Sequence, residues 1–366
     1  MNPTLELALV LAVTACACAL PGAFLVLRRS AMTADAVGHV LLFGIALAYL
    51  AVRDLNSPWL MVGAAASGVL AVVLVEALEK SGRVKADAAL GLVFAALFAG
   101  GVLVVSASVR NVHLDVDQVL LGVPELATEP RWELFGTAVA PVWVLGAVLV
   151  LNAALVALFY KELKHTTFDA GHAAALGFRP AAIHYGLMTA VSLTAVAAFD
   201  AVGPVLVVGF FVLPGATAYL LTNRLGALLL LAALAGAIGA LSGTFAASEL
   251  GTTTAGAVTT ALGALFVLAL AFAPERGLVA QTVQRVRRKR RFHELMLAVH
   301  LLTHEGTPQE ADEARLNGLH AHLNWPPEFV ARVVARAERN RWVRRDGQLL
   351  KLTDTGRAAA RAVFAA

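Results

Sequence analysis

Asp35 and His39 are the residues whose types and spacing most directly suggest chemistry, because they stand four positions apart in the apolar stretch 32–49. On an α-helix this spacing places a carboxylate and an imidazole on one face. An ionisable side chain in hydrocarbon costs about 2.5–3.5 kcal/mol on insertion scales. Two such residues on one face therefore need a compensating partner. Carboxylate oxygen and imidazole nitrogen suit divalent manganese, iron or zinc, so the pair predicts a cation site without choosing the metal.

A structural interpretation of the same pair stays open. Asp35 could cap the helix start, and His39 could hydrogen-bond to a neighbouring helix. If Arg29 marks the membrane surface, His39 lies roughly 15 Å further along the helix, near the middle of a 30 Å hydrocarbon core. A later helix start would move both side chains toward its end.

The elements that must position this pair are membrane spans. The chain has 366 residues, of which 59% are hydrophobic and 15% charged, and its mean hydropathy is +0.74, which indicates an all-α polytopic membrane protein. Nine apolar runs are long enough to cross a bilayer: 5–27, 33–52, 58–79, 87–108, 136–159, 181–199, 203–222, 225–248 and 254–273. Pro204 and Pro214 interrupt the seventh run. A broken or re-entrant segment there would leave eight spans.

Charge sets the expected orientation. Basic residues follow the odd-numbered runs, whereas the loop after the fourth run is acidic, with Asp115, Asp117, Glu125 and Glu129. The positive-inside rule then places the N-terminus outside and the C-terminus in the cytoplasm of a cell membrane. The basic run 285–291 is of the kind that binds anionic lipid headgroups.

Three stretches resemble the membrane permeases of the ABC importers for zinc, manganese and iron. They are LVLRRSAMTADAVGHVLLFGIALAYL at 25–50, SGRVKADAALGLVFAALFAGGVLVVS at 81–106, and a third block at 160–221. The third is the most specific, beginning YKELKHTTFDAGHAAALGF and continuing through VGPVLVVGFFVLPGATAYLL. Together the resemblance covers about residues 5–276.

The resemblance implies a type II ABC importer permease. Two permease subunits, as a homodimer or with a paralogue, would bind two cytoplasmic ATPases and receive metal from an extracytoplasmic binding protein. Asp35 and His39 would be pathway ligands for transported metal, with no permanently bound cofactor. A coupling loop that seats in the ATPase would contain Phe168, Asp169, Ala173, Leu176 and Gly177.

The tail has a different composition. We expect a membrane domain at 1–276, a basic linker at 277–291 and a small domain at 292–366, ordered helix, helix, helix, hairpin, helix. That order is typical of a winged helix, and RNRWVRRDGQLLKLTDTGRAAA resembles the DNA-binding domain of repressors related to the diphtheria toxin repressor. The resemblance implies possible DNA contact by Arg332, Arg336, Arg339 and Arg341.

A protein-contact role for the small domain, with solvated arginines, is the alternative. Related repressors respond to manganese or iron, which favours those metals over zinc as cargo. The chain ends before the metal-sensing part of such repressors, so this domain is not expected to sense metal by that route.

The leading hypothesis is therefore a metal importer permease. No G-x-x-x-x-G-K-[ST] motif occurs in the sequence, so ATP hydrolysis is expected on another chain and this subunit is not an enzyme. Two alternatives are a membrane-tethered metal-responsive regulator and an ion-coupled secondary transporter. A secondary transporter would be expected to show more intramembrane acids than Asp35.

Overall fold

A computed structural model describes residues 3–53, 57, 59–108, 132–134, 137–139 and 141–364. The acidic residues Asp115, Asp117, Glu125 and Glu129, on which the predicted orientation partly depends, lie outside the described residues. The chain divides into two compact units, Met1–Gly277 and Leu278–Ala366.

In its described residues, the first unit is a bundle of helices with one short antiparallel pair of strands. Its elements are α1 (Pro3–Leu27), α2 (Met32–Val52), α3 (Trp59–Lys80), α4 (Ala86–Ser108), β1 (Trp132–Leu134), β2 (Thr137–Val139), α5 (Pro141–Leu158), α6 (Tyr160–Phe168), α7 (Ala170–Ala175), α8 (Pro180–Val202), α9 (Pro204–Leu221), α10 (Leu225–Leu250) and α11 (Thr254–Phe272).

Eight of these described helices are long and apolar enough to cross a membrane: α1 to α5, α8, α10 and α11. By length and composition, the described helices therefore agree with the alternative of eight spans and not with the expected nine. The segment in question is α9, whose apolar part is the shorter Val205–Leu221. Pro204 occupies the first turn of α9, where a missing N–H is tolerated, and Pro214 lies inside a helix that continues to Leu221. Gly203, with φ of 78°, makes the turn from α8 into α9.

Helix α1 lies in the core of this unit and packs against α5, α9 and α10. Phe24, Phe210 and Phe211 are fully buried there. Helix α2 packs mainly against α3 and α4, with further contacts to α8 and α9. The helix that carries Asp35 and His39 is therefore held by neighbours on several sides.

The second unit contains five helices and one antiparallel hairpin: α12 (Leu278–His304), α13 (Glu310–Glu313), α14 (Leu319–His322), α15 (Pro327–Arg339), β3 (Val343–Asp346), β4 (Leu349–Leu352) and α16 (Asp354–Phe364). Its core contains Leu297, Leu301, Val333, Val343 and Leu350. Gly347, with φ of 63°, lies in the hairpin turn, and an isolated bridge pairs Arg315 with Leu349.

The residues predicted to be a linker are helical. Residues 278–291 form the first half of α12, a 27-residue helix that continues into the small domain's core at Leu297 and Leu301. No Pro or Gly occurs between Leu278 and His304, and the stretch is rich in Gln, Arg, Lys and Leu, which favour helix. The basic run is therefore part of the second unit.

We predict that a chain truncated after Gly277 still inserts and folds. Arg276 belongs to the first unit, where it donates hydrogen bonds to the Tyr219 carbonyl (2.7 Å) and Asn223 Oδ1 (2.5 Å) and lies 4.0 Å from the Tyr219 ring centroid. The melting temperature of the first unit in detergent should match that of the whole chain. Truncation after Ala273, which removes Arg276, should lower it. Equal melting for both truncations, or failure of the first to insert, would contradict the prediction.

Candidate functional site

Asp35 and His39 face each other on α2. His39 Nε2 lies 3.6 Å from Asp35 Oδ1, and their side chains are 31% and 47% exposed respectively. Because α2 begins at Met32, His39 is only about 10 Å from the helix start at 1.5 Å per residue, rather than near its middle. The reason is a turn after α1, in which Arg29 has φ of 58°. The pair therefore lies toward the N-terminal end of α2.

The capping interpretation does not fit this geometry. The N-cap position is Ala31, and Asp35 lies further into the helix, in its first turn. The imidazole of His39 contacts α4 through aromatic edges, with ring centroids 5.2 Å from Phe94 and 5.8 Å from Phe98. Two apolar rings thus orient the imidazole while its Nε2 points toward the carboxylate.

Close backbone packing fixes the position of α2. A Cβ atom at Gly38, beside His39, would overlap the Phe199 ring on α8, and a Cβ at Gly44 would overlap the Gly63 carbonyl on α3. Ser67 Oγ also donates to the Val40 carbonyl at 3.2 Å. These contacts hold the two candidate ligands on a rigid element, which precise metal coordination requires.

A cavity of ≈ 170 Å³ lies between α2, α3, α4 and α8. Ala36 and Val40 line it from α2, and Phe94, which contacts His39, lines it from α4. Glu76 and His184 contribute polar atoms to its wall. Asp35 and His39 themselves are not among the residues that line this cavity.

Glu76 is the centre of a polar network that the sequence analysis missed. Its Oε1 lies 3.1 Å from His184 Nε2, while Oε2 accepts hydrogen bonds from Tyr185 Oη (2.6 Å) and Lys80 Nζ (2.8 Å). The Lys80 contact is local, four residues away. The contacts to α8 join residues more than a hundred positions apart, so spacing gave no signal for them.

Arg28 extends this network to α6. Its Nη1 lies 3.4 Å from His184 Nδ1, its Nη2 donates to Thr166 Oγ1 and its Nε donates to Thr167 Oγ1, both at 3.1 Å. A chain of polar contacts therefore runs from α3 through α8 and Arg28 to the end of α6.

The predicted coupling loop forms the junction of α6 and α7. Asp169 caps α7 by accepting a 2.8 Å hydrogen bond from the His172 N–H, and Ala173 is fully buried. Phe168 and Leu176 are 62% and 54% exposed. Gly177 follows with φ of 87°. The segment presents two large apolar side chains on a rigid, capped turn.

The four tail arginines differ in their surroundings. Arg332, Arg339 and Arg341 are exposed. Arg336 is half-buried, and its Nε lies 3.7 Å from Oε1 of the buried Glu294. Arg336 therefore has a structural contact inside the unit, whereas the other three face solvent.

Comparison with known proteins shows which class of protein the first unit belongs to. The model of the family described as "ABC 3 transport family" matches residues 1–273. The chain belongs to this family. Its membrane unit is therefore that of an ABC transport permease, which favours the permease hypothesis over the regulator and the secondary transporter. The chain is therefore a transport protein that crosses the membrane several times.

Individual relatives agree with this family. The chain is 44% identical over 360 residues to the zinc transport system membrane protein TroD of Treponema pallidum, covering 98% of both chains. It is 43% identical over 272 residues to the manganese transport system membrane protein MntD of Bacillus subtilis, covering 73% of this chain and 91% of MntD. The similarity to the Treponema protein therefore extends into the second unit.

A solved structure is also similar. PsaBC from Streptococcus pneumoniae, in complex with Fab, matches with a TM-score of 0.64 and 25% identity, over 75% of this chain and 94% of the matched chain. This likeness covers most of both chains and supports the same overall fold.

Proposed function

We propose that this chain is the membrane-spanning permease subunit of an ATP-driven ABC importer for a divalent transition metal. The observation that carries the proposal is the Asp35–His39 pair, whose side chains face each other at 3.6 Å on a packed helix. Family membership indicates an ABC transport permease, and the donor atoms of the pair indicate the kind of ion that it carries. One carboxylate oxygen and one imidazole nitrogen suit manganese, iron or zinc.

The cargo is proposed as a class of metals. One relative is named for zinc and another for manganese. The sequence-based preference for manganese or iron depended on the resemblance of the tail to repressors. Of the two relatives described above, the one named for zinc aligns with the tail as well. We therefore retain all three metals.

The proposed partners follow from the surfaces of the first unit. A separate ATPase would receive Phe168 and Leu176 in a groove, because both are large, apolar and exposed on a rigid turn. An external binding protein would deliver the metal, and a second permease subunit, identical or paralogous, would complete the pathway. No residue of this chain is assigned a catalytic role.

ATP-dependent uptake into vesicles tests the function. Vesicles containing this chain with its ATPase should accumulate ⁵⁴Mn, ⁵⁵Fe or ⁶⁵Zn when ATP and the binding protein are present. Uptake driven by a proton gradient without the ATPase would identify a secondary transporter. Absence of uptake for all three metals under every condition would reject the proposal.

The polar network gives a prediction about coupling. Arg28→Gln removes the cation that joins Thr166, Thr167 and His184, so the coupling segment should lose its link to α8. We expect transport per ATP hydrolysed to fall about tenfold, the change that 1.4 kcal/mol produces. The measurement is the ratio of metal uptake to phosphate release in the same vesicles.

Arg29→Gln is the matched control, since it removes the neighbouring positive charge from an exposed side chain. Both variants alter the positive-inside signal equally, so a topology effect would appear in both. A normal uptake ratio in Arg28→Gln would show that the network does not transmit coupling.

We also propose that the second unit is a winged helix. The order α12, α13–α14, α15, hairpin and α16, with the Arg315–Leu349 bridge beside the hairpin, supports this assignment. Exposed Arg332, Arg339 and Arg341 would meet phosphates if the unit binds DNA, while Arg336 stays with Glu294. Salt-dependent retardation of duplex DNA by the whole chain in detergent would support this contact. Absence of retardation at low salt would favour the alternative hypothesis, in which the second unit contacts another protein.

A further inference from the structure

Four side chains with metal-binding atoms converge in the second unit. They are His300 and His304 on α12, Glu313 at the end of α13 and His322 at the end of α14. Among the described residues, His300, His304 and Glu313 form a group whose ligand atoms all lie within 4.8 Å of one another. His322 Nδ1 adds a fourth atom, 3.0 Å from Glu313 Oε2. The same carboxylate oxygen lies 3.3 Å from His300 Nε2.

The scaffold brings these residues together without help from an ion. His300 and His304 share one face of α12 because they are one helical turn apart. The segment that carries Glu313 is attached to the hairpin, since the Ala314 carbonyl accepts from the Leu350 N–H and the Leu316 N–H donates to the Gln348 carbonyl, both at 2.9 Å. The four groups are thus held by a long helix on one side and a hairpin on the other.

The distances suit a small tetrahedral ion. Zinc binds imidazole nitrogen and carboxylate oxygen at about 2.0–2.2 Å, which puts neighbouring ligand atoms roughly 3.3 Å apart. The two contacts to Glu313 Oε2, 3.0 and 3.3 Å, match this spacing, and the His304 ligand atom lies within 4.8 Å of those of His300 and Glu313. Because the His300 and Glu313 side chains are only 13% and 18% exposed, water reaches the centre of the cluster poorly.

The cluster also has internal polar contacts. His300 Nε2 lies 3.3 Å from the Glu313 carbonyl oxygen as well as from its carboxylate. The imidazoles and the carboxylate therefore keep their positions when no ion is bound.

We propose that the second unit binds one divalent transition-metal ion through His300, His304, Glu313 and His322. Three nitrogens and one oxygen select zinc or cobalt strongly over manganese. The site lies in a different unit from the pathway pair and does not depend on the transport proposal. Binding would clamp α13 and α14 onto α12 and so stiffen the part of the unit that contacts the hairpin.

The test uses Co²⁺ as a probe, because tetrahedral cobalt gives a strong visible absorption. Every protein is the full chain in detergent and carries Asp35→Asn with His39→Gln, which removes the pathway pair. The parent protein should bind one Co²⁺ with that absorption, and an equal concentration of Zn²⁺ should displace it. Mn²⁺ at the same concentration should not.

His304→Gln and Glu313→Gln should each weaken Co²⁺ binding at least about tenfold and remove the tetrahedral absorption. His320→Gln is the matched control, since His320 lies two residues from His322 on α14 but bonds through Nδ1 to the Asn317 carbonyl. Equal melting temperatures without metal would verify folding of all variants. Unchanged Co²⁺ affinity and spectrum in both cluster variants would overturn the site, whatever the outcome of the uptake experiment.

Discussion

Metal uptake should be lost in Asp35→Asn and in His39→Gln, while membrane insertion should be unchanged. Asn keeps the size of Asp35 but removes its charge, and Gln keeps a polar side chain at position 39 but removes the imidazole nitrogen. Each change deletes one of two ligands that face each other at 3.6 Å. Both side chains are partly exposed, so their loss leaves no large cavity. Because each change replaces a strong ligand with a weaker, neutral amide, we expect uptake to fall about a hundredfold.

The measurement is the initial rate of ATP-dependent uptake at matched expression. Glu79→Gln is a suitable control, because it removes an exposed carboxylate that lines the neighbouring cavity without belonging to the pair. Its uptake should stay near that of the wild type. Near-normal uptake in both pair variants would show that Asp35 and His39 are not ligands of the transported metal. Loss of uptake in Glu79→Gln alone would indicate that the metal binds in the cavity and not at the pair.

The pair was readable from sequence because it is local. Two residues four positions apart stay on one helix face in any fold that keeps the helix, so the pairing of Asp35 with His39 needed no tertiary information. Their depth was misplaced because the prediction measured from Arg29, whereas the chain turns there and α2 begins only at Met32. The later start moves His39 by about 4.5 Å along the helix, roughly a sixth of a 30 Å span.

The network around Glu76 was not readable, since Arg28, Glu76 and His184 come from three segments and meet only after the helices pack. The tail cluster is an intermediate case. The spacing of His300 and His304 is visible in the sequence, but their convergence with Glu313 and His322 depends on how two four-residue helices fold over α12. Local spacing gives half of such a site, and packing supplies the other half.

The course of two segments also depended on packing and on local helix preference. Pro204 and Pro214 suggested a break, yet one opens α9 and the other lies within it, because a helix surrounded by neighbours tolerates an internal proline. The basic residues 277–291 were predicted to be a linker, yet residues 278–291 favour helix individually and continue into a packed helix. A high charge along a segment is therefore compatible with a regular helix.

Gly177→Arg should abolish transport while leaving the protein folded in the membrane. Gly177 ends the coupling segment one residue after the exposed Leu176, and a Cβ there would meet no atom within 4 Å. An arginine would therefore project a long cation from the surface proposed to enter the ATPase groove. Its φ of 87° adds backbone strain of about 1–2 kcal/mol, confined to the turn. We expect ATPase binding to weaken and uptake to fall to background.

Gly82→Arg separates the surface effect from the strain. Gly82 has φ of 69°, also has open space around it, and lies in the turn between α3 and α4, which the basic residues place on the same side of the membrane. The control therefore carries the same charge and a similar strain without touching the coupling segment. Co-purification of the ATPase and uptake should be lost in Gly177→Arg and kept in Gly82→Arg. Equal loss in both would assign the effect to strain or charge, and normal uptake in Gly177→Arg would show that the ATPase docks elsewhere.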